Sequence, residues 1–169
     1  MIKTHFHNYL SKIMRSKKGK ALDLACGKGD YSKLLSKNGW SVDAVDLDSS
    51  CTILKKNKGI NFIEFDLENL DYLNLLTSLH FKKYDLILLF RFLHRPLFNF
   101  LPKVLNKKGI IFCENFMIRG GKGKLRNKNF MYKSSELTRT NLKKIKLTRF
   151  WQGVSKKKDC IQSAVFQKL

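Results

Sequence analysis

Residues 21–48 read ALDLACGKGDYSKLLSKNGWSVDAVDLD, and the reading of the whole chain starts there. Residues 21–25 form a short apolar run broken by one acid, Asp23, which suits a strand buried in a parallel sheet. Gly27 and Gly29 allow a sharp turn and leave room for a ligand beside the main chain. Residues 31–38 follow helical spacing, with Leu34 and Leu35 turned inward and Gly39 just past the end. Residues 42–46 make a second strand closing on Asp46, 17 residues after Gly29. Such a unit offers backbone N–H groups to one part of a nucleoside ligand and a carboxylate to its ribose hydroxyls.

The loop departs from the dinucleotide fingerprint G-x-G-x-x-G, because Ala25 precedes the glycine pair and Ser32 stands in the place of the third glycine. Asp23 puts a negative charge just before the turn, a poor match for a pyrophosphate and a good one for a cationic ligand. The run Asp23-Leu24-Ala25-Cys26-Gly27-Lys28-Gly29 resembles the first motif of class I S-adenosylmethionine-dependent methyltransferases, commonly written D-x-A-C-G-x-G. The alternative, an ordinary tight turn, does not account for Asp23, Asp46 and the strand–helix–strand setting together. The resemblance implies S-adenosylmethionine as cofactor, held by Asp23, Ala25, Cys26, Gly27 and Gly29, by Asp46 and Leu47, and by Phe90 at the end of a later strand. It also implies a place for Asp66 and Leu67 beside the adenine. The competing reading of Asp66 is a residue opening a helix.

A length of 169 residues, 43% hydrophobic, points to one globular domain over residues 1–169, with residues 1–19 as a leading amphipathic helix. No run of 18 apolar residues is present, so no membrane span or membrane partner is expected. Cys26, Cys51, Cys113 and Cys160 are scattered, which argues for reduced thiols in a cytoplasmic protein and against a disulfide framework. His5 and His7 have no third ligand nearby, so no metal is expected. The net charge of +21 creates a field that attracts polyanions such as RNA or the ribosome. Lysine supplies most of that charge, and lysines that simply solvate the surface are the alternative account, which charge by itself does not separate from nucleic-acid binding.

In the leading segment, Phe6, Leu10, Ile13 and Met14 share one helical face, suited to packing on the sheet edge and shielding the cofactor. After Asp46, Ser49 or Ser50 caps a helix running towards Asn57, residues 60–65 make a third strand, and residues 70–79 another helix. Residues 84–90 (YDLILLF) are a central strand, followed by FRFLHRPLF. Pro96 fits the first turn of a helix reaching about Leu105. Arg91, His94 and Arg95 therefore crowd the strand end, and a fifth strand over residues 109–112 delivers Glu114 and Phe116 to the same rim. His94, Arg95 and Glu114 form a candidate substrate-orienting cluster, with an Arg95–Glu114 ion pair as the structural alternative. Residues 118–129 are glycine-rich and basic. Lys122, Lys124 and Arg126, with Phe130 to stack a base, could hold a nucleic acid beside Arg91 and Phe116. Residues 134–141 read as a short helix. Residues 142–152 and 159–169 read as two strands joined by a basic turn.

These elements predict an α/β protein: a Rossmann-like, seven-stranded, mostly parallel sheet with helices on both faces and an antiparallel C-terminal hairpin. The segment from Glu114-Asn115-Phe116 through Arg126-Asn127, Phe130 and Glu136-Leu137 is similar to the tellurite-resistance and thiopurine-like branch of class I methyltransferases. The resemblance implies methyl transfer by in-line displacement. Neither N-P-P-Y nor D-P-P-Y closes the fourth strand, where F-R-F-L stands, so amino-group methylation of that type is disfavoured. Three readings stay open: a methyltransferase acting on RNA or the ribosome, one acting on a small molecule, and a cofactor-binding accessory protein without catalysis.

Overall fold

The computed structural model describes residues 4–69, 71–118, 127–140, 142–155 and 159–169. Seven strands form one sheet in the order β3-β2-β1-β4-β5-β7-β6: β1 (Lys20–Leu24), β2 (Ser41–Asp46), β3 (Ile60–Glu64), β4 (Tyr84–Phe90), β5 (Leu105–Phe116), β6 (Ile145–Val154) and β7 (Cys160–Lys168). The first five pair in parallel; β7 runs antiparallel to β5, and β6 antiparallel to β7. The expected architecture is present, and the break in strand order beside β1 puts a crevice at the carboxyl ends of β1 and β4, where ligands of open α/β sheets bind.

Both faces are covered. On one, α1 (His7–Ser16), α2 (Asp30–Lys37) and a 3-10 segment (Ser49–Lys56) pack Leu10, Met14, Leu35 and Leu54 against Ala21, Val42, Leu86, Leu88 and Phe112. On the other, α3 (Tyr72–Ser78), α4 (Leu97–Val104) and α5 (Glu136–Arg139) pack Leu75, Leu97, Phe100 and Leu137 against Leu22, Leu24, Ile87, Leu89 and Ile111. Central strands buried on both sides explain their near-continuous apolar sequence.

Several boundaries differ from the sequence reading. Helix α1 lies over a face of the sheet rather than its edge, because Leu10, Ile13 and Met14 meet the upward side chains of β1, β4 and β5. The segment after β2 is a 3-10 helix capped by Asp48, whose carboxylate accepts the Ser50 N–H at 2.9 Å, not by Ser49 or Ser50. Strand β5 starts at Leu105, not Gly109. The register jumps between Tyr84↔Leu105 and Leu86↔Ile110, a bulge in which Lys108 takes φ +61°. Helix α3 is shorter than expected, begun by Asp71 capping the N–H groups of Leu73 and Asn74; helix α5 has four residues rather than eight. Among the described residues, no helix is long and apolar enough to cross a membrane.

Candidate active site

The turn after β1 passes through three left-handed residues, Ala25 (φ +53°), Gly27 (φ +51°) and Gly29 (φ +67°). Alanine rarely adopts this conformation, and its presence between strand and ligand cleft is the kind of local strain that surrounding bonds must hold. Two bonds do so: the Cys26 N–H donates to the Val45 carbonyl at 3.0 Å and the Gly27 N–H to the Asp46 carboxylate at 2.7 Å. A Cβ at Gly27 would meet nothing within 4 Å, so the loop is open to a ligand on that side. At Gly29 it would lie 2.4 Å from the Leu54 side chain, so this glycine also serves packing.

Behind the loop, Asp23 is buried in the last turn of β1 (4% exposed) and accepts a hydrogen bond from the Ser32 hydroxyl at 2.6 Å. Burial pushes its carboxyl up to about 6, against the opposing pull of Ser32. Ser32, standing where a dinucleotide site has glycine, is thus the residue that holds Asp23. Asp23 lines a cavity of about 280 Å³ together with Thr4, Ala25, Cys26, Tyr31, Phe90, Arg91 and Glu114. The Tyr31 and Phe90 rings pack at 4.8 Å across it, and burial moves the Tyr31 hydroxyl up to about 12. Burial also raises the Cys26 thiol far above its usual range, with Asp23 and Asp46 adding to the effect, so it is no nucleophile here.

Glu114 forms the opposite wall. It is 2% exposed and takes the Thr4 hydroxyl at 2.7 Å, the His5 N–H at 2.6 Å, the Ser163 hydroxyl, and the Arg91 guanidinium at 2.9 Å. Thr4 also donates its N–H to the Tyr31 hydroxyl at 3.0 Å, so the segment ahead of α1 is strapped across the cleft. His5 stacks on Trp151 of β6 at 4.0 Å. Arg91, at φ +61°, lies over the Phe116 ring at 4.6 Å, and its Nη1 is buried without a hydrogen-bond partner among the described residues.

This geometry corrects the expected Arg95–Glu114 contact. Arg95 turns away from the cleft and pairs with Glu136 at 2.7 Å, also donating to the carbonyls of Asn129 and Met131. The reason is that α4 starts two residues later and carries Arg95 towards the segment after β5, whereas Arg91 sits at the strand end itself. His94, half-buried, does not line the cavity. Asp46 and Asp66 both stand at the carboxyl rim. The second oxygen of Asp46 accepts the Asp48 N–H at 3.1 Å, and Asp66 accepts the N–H groups of Glu68 and Asn69. Leu47 is exposed, whereas Leu67 is buried in the core. Phe130 is exposed on a 3-10 turn, and Lys122, Lys124 and Arg126 lie outside the described residues. No group of side chains able to hold a metal occurs among the described residues. Thr4, Tyr31 and Ser163 carry no motif, and only distant chain contacts reveal them.

No curated protein matches this sequence at a significant level. Among solved structures, TehB from Haemophilus influenzae superposes with a TM-score of 0.73 at 18% identity, covering 96% of this chain and 62% of its own. A Streptococcus mutans protein described as a SAM-dependent methyltransferase gives 0.68 at 13% identity, covering 98% and 49%. The chain thus spans about half to two thirds of these two proteins. The Burkholderia thailandensis 1,6-didemethyltoxoflavin-N1-methyltransferase, solved with its substrate and S-adenosylhomocysteine, gives 0.66 at 16% identity, covering 94% and 76%. The sequence model of the methyltransferase domain matches residues 3–123, more than half of the chain. The glycine turn, the buried acid behind it and the five parallel strands all fall within that match, and the chain belongs to the methyltransferase domain family.

Proposed function

We propose that this chain is an S-adenosylmethionine-dependent methyltransferase acting on a small acceptor bound in the carboxyl-end cleft. The observation that carries the reading is Asp23: a buried carboxylate partnered by Ser32 alone, through its hydroxyl and its backbone N–H, and lining a cavity beside an open glycine turn, matches a ligand with a cationic end. The residues present fit the cofactor. The backbone of residues 25–29 and Asp23 would hold its amino-acid part, Asp46 its ribose hydroxyls, and Asp66 its adenine amino group. When bound, the cofactor supplies a methyl carbon on a positively charged sulfur, which carries the chemical drive.

The chain's task is then to align and to exclude water, and positioning alone is worth up to about 7–11 kcal/mol. Tyr31 and Phe90 offer flat apolar walls for an acceptor. The partnerless Arg91 Nη1 offers a hydrogen bond to an oxygen or anionic group on it. The Thr4–His5 strap closes the cleft to water and to bulky substrates. Arg95, spent on Glu136, braces the adjoining segment rather than orienting substrate.

Asp46→Ala removes the ribose partner and is expected to weaken the cofactor by roughly 1–3 kcal/mol, about 5- to 150-fold in Kd, read by calorimetry. An affinity within twofold of wild type would mean that Asp46 has another role. Incubating the protein with methyl-labelled cofactor and cell extract is expected to label the small-molecule fraction. Label confined to RNA would overturn the acceptor class, and cofactor binding without any labelled product would favour an accessory protein.

A further inference from the structure

The parallel sheet has a second rim, at the amino ends of its strands, and the sequence loads it with lysine. Lys17, Lys18 and Lys20 lead into β1; Lys55, Lys56 and Lys58 lead into β3. Lys82 and Lys83 precede β4, and Lys107 and Lys108 sit in the bulge of β5. The antiparallel strands bring Lys168 and the Lys143–Lys144 pair to the same rim. Of the chain's 13 acids, only Asp43 and Asp85 belong to the amino halves of their strands. Both are engaged: Asp43 by Lys82, Tyr84 and Asn61, Asp85 by the Lys20 N–H and Asn106. The other acids stand in the carboxyl halves of the strands or on the connections at that end.

Among the described residues, Lys17, Lys18, Lys107 and Lys108 make no ion pair, and all four line an open cleft of about 260 Å³ beside Trp40. Lys168 donates to the carbonyls of Pro102 and Leu105 at 2.7 Å each, and burial followed by the nearby Lys83 and Lys144 holds its ammonium below the ordinary lysine range. Cations this crowded repel one another, and a multivalent anion relieves them. Lysines run from β3 to β6, about 30 Å at roughly 4.8 Å per strand. That span exceeds a mononucleotide and calls for a polyanion carrying many phosphates. Phe81 is 64% exposed beside Lys82 and Lys83. A membrane surface is the poorer match, because Phe81 and Leu169 are the rim's exposed large apolar side chains and sit on different segments.

We infer that the amino rim docks the phosphate backbone of RNA, at the pole opposite the methyl-transfer cleft, so that RNA is a tethering partner and not the methyl acceptor. The test uses the whole chain and a labelled 20-base-pair RNA duplex, with anisotropy measured across a salt series. The variant Lys17→Gln, Lys18→Gln, Lys107→Gln, Lys108→Asn is expected to flatten the slope of log K against log salt by about 3–4. At moderate salt its affinity drops tenfold or more, while its cofactor affinity is unchanged. Lysine acetylation of the wild-type chain gives a reading that needs no variant: bound RNA protects Lys17, Lys18, Lys107 and Lys108, and leaves Lys28 and Lys133 at the other rim reactive. An unchanged slope, equal protection at both rims, or retention on phosphatidylserine vesicles with none on RNA overturns the inference. None of these outcomes bears on the methyl-transfer reading, which stands or falls on Asp46 and the labelled product.

Discussion

Asp23 and Glu114 are buried carboxylates on two walls of one cleft, and they are kept in opposite ways. Glu114 receives two hydroxyls, a backbone N–H and a guanidinium, drawn from the leading segment, β4 and β7. Asp23 receives only Ser32, by its hydroxyl and its backbone N–H, from the helix that follows its own strand, and burial leaves it reluctant to ionise. A carboxylate fully surrounded by donors holds protein to protein. One left short of partners in a cavity is a place kept for a ligand, and the fold carries its desolvation until that ligand arrives.

The comparison breaks most visibly at Glu114. Glu114→Ala leaves the half-buried Arg91 beside no acid and releases Thr4 and His5, with an expected loss of up to about 3–5 kcal/mol. Thermal or urea unfolding measures it, and a loss below about 1 kcal/mol would mean that Glu114 is no structural hub. Asp23→Asn is expected to act in the other direction. With its carboxyl raised from 3.8 to about 6 in the folded chain, the native state holds a proton that the unfolded chain has released between those values. Stability therefore falls as pH rises from about 4 to 6, and above that the ionised group costs on the order of 2–3 kcal/mol. The asparagine variant is expected to be more stable than wild type at pH 8, equal to it near pH 4, and at least tenfold weaker for the cofactor. A variant no more stable at pH 8 would place Asp23 with Glu114. The smallest effect belongs to the link between the walls: Tyr31→Phe removes the acceptor of the Thr4 N–H and is expected to cost about 1 kcal/mol. Faster hydrogen exchange at Thr4 with little change in the core is the accompanying readout.

How far the chain could be read in advance follows from distance along it. Asp23, the glycines and Asp46 lie within one strand–helix–strand unit, where spacing alone relates them, and their placement at the strand ends was legible. The strap was not, because Thr4 and Glu114 are 110 residues apart and share no pattern. The Arg95 error came from two arginines four residues apart at one strand end. Only the path of α4 decides which turns to Glu114. At the start of β5, Asn106-Lys107-Lys108-Gly109 reads as a turn, but the bulge keeps it within the strand. No motif marks Asp43, yet it is buried in β2 and bound by Tyr84, Lys82 and Asn61, a polar tie to β3 and to the start of β4 that alternation cannot report. The lysine rim was visible only as a total. Topology alone sorts those charges to one end.

Strand β6 is ten residues long and closes the sheet on one side, with no neighbouring strand beyond it among the described residues. Its outward row of amides and carbonyls is a template on which another extended chain could add itself. Exposed Lys146 and Arg149 stand along it, the latter held over the Tyr9 ring at 4.1 Å. Two like charges set into that border turn away a second copy approaching edge to edge. At the opposite border the edge strand β3 is only five residues long, so the sheet guards one end with charge and the other with brevity.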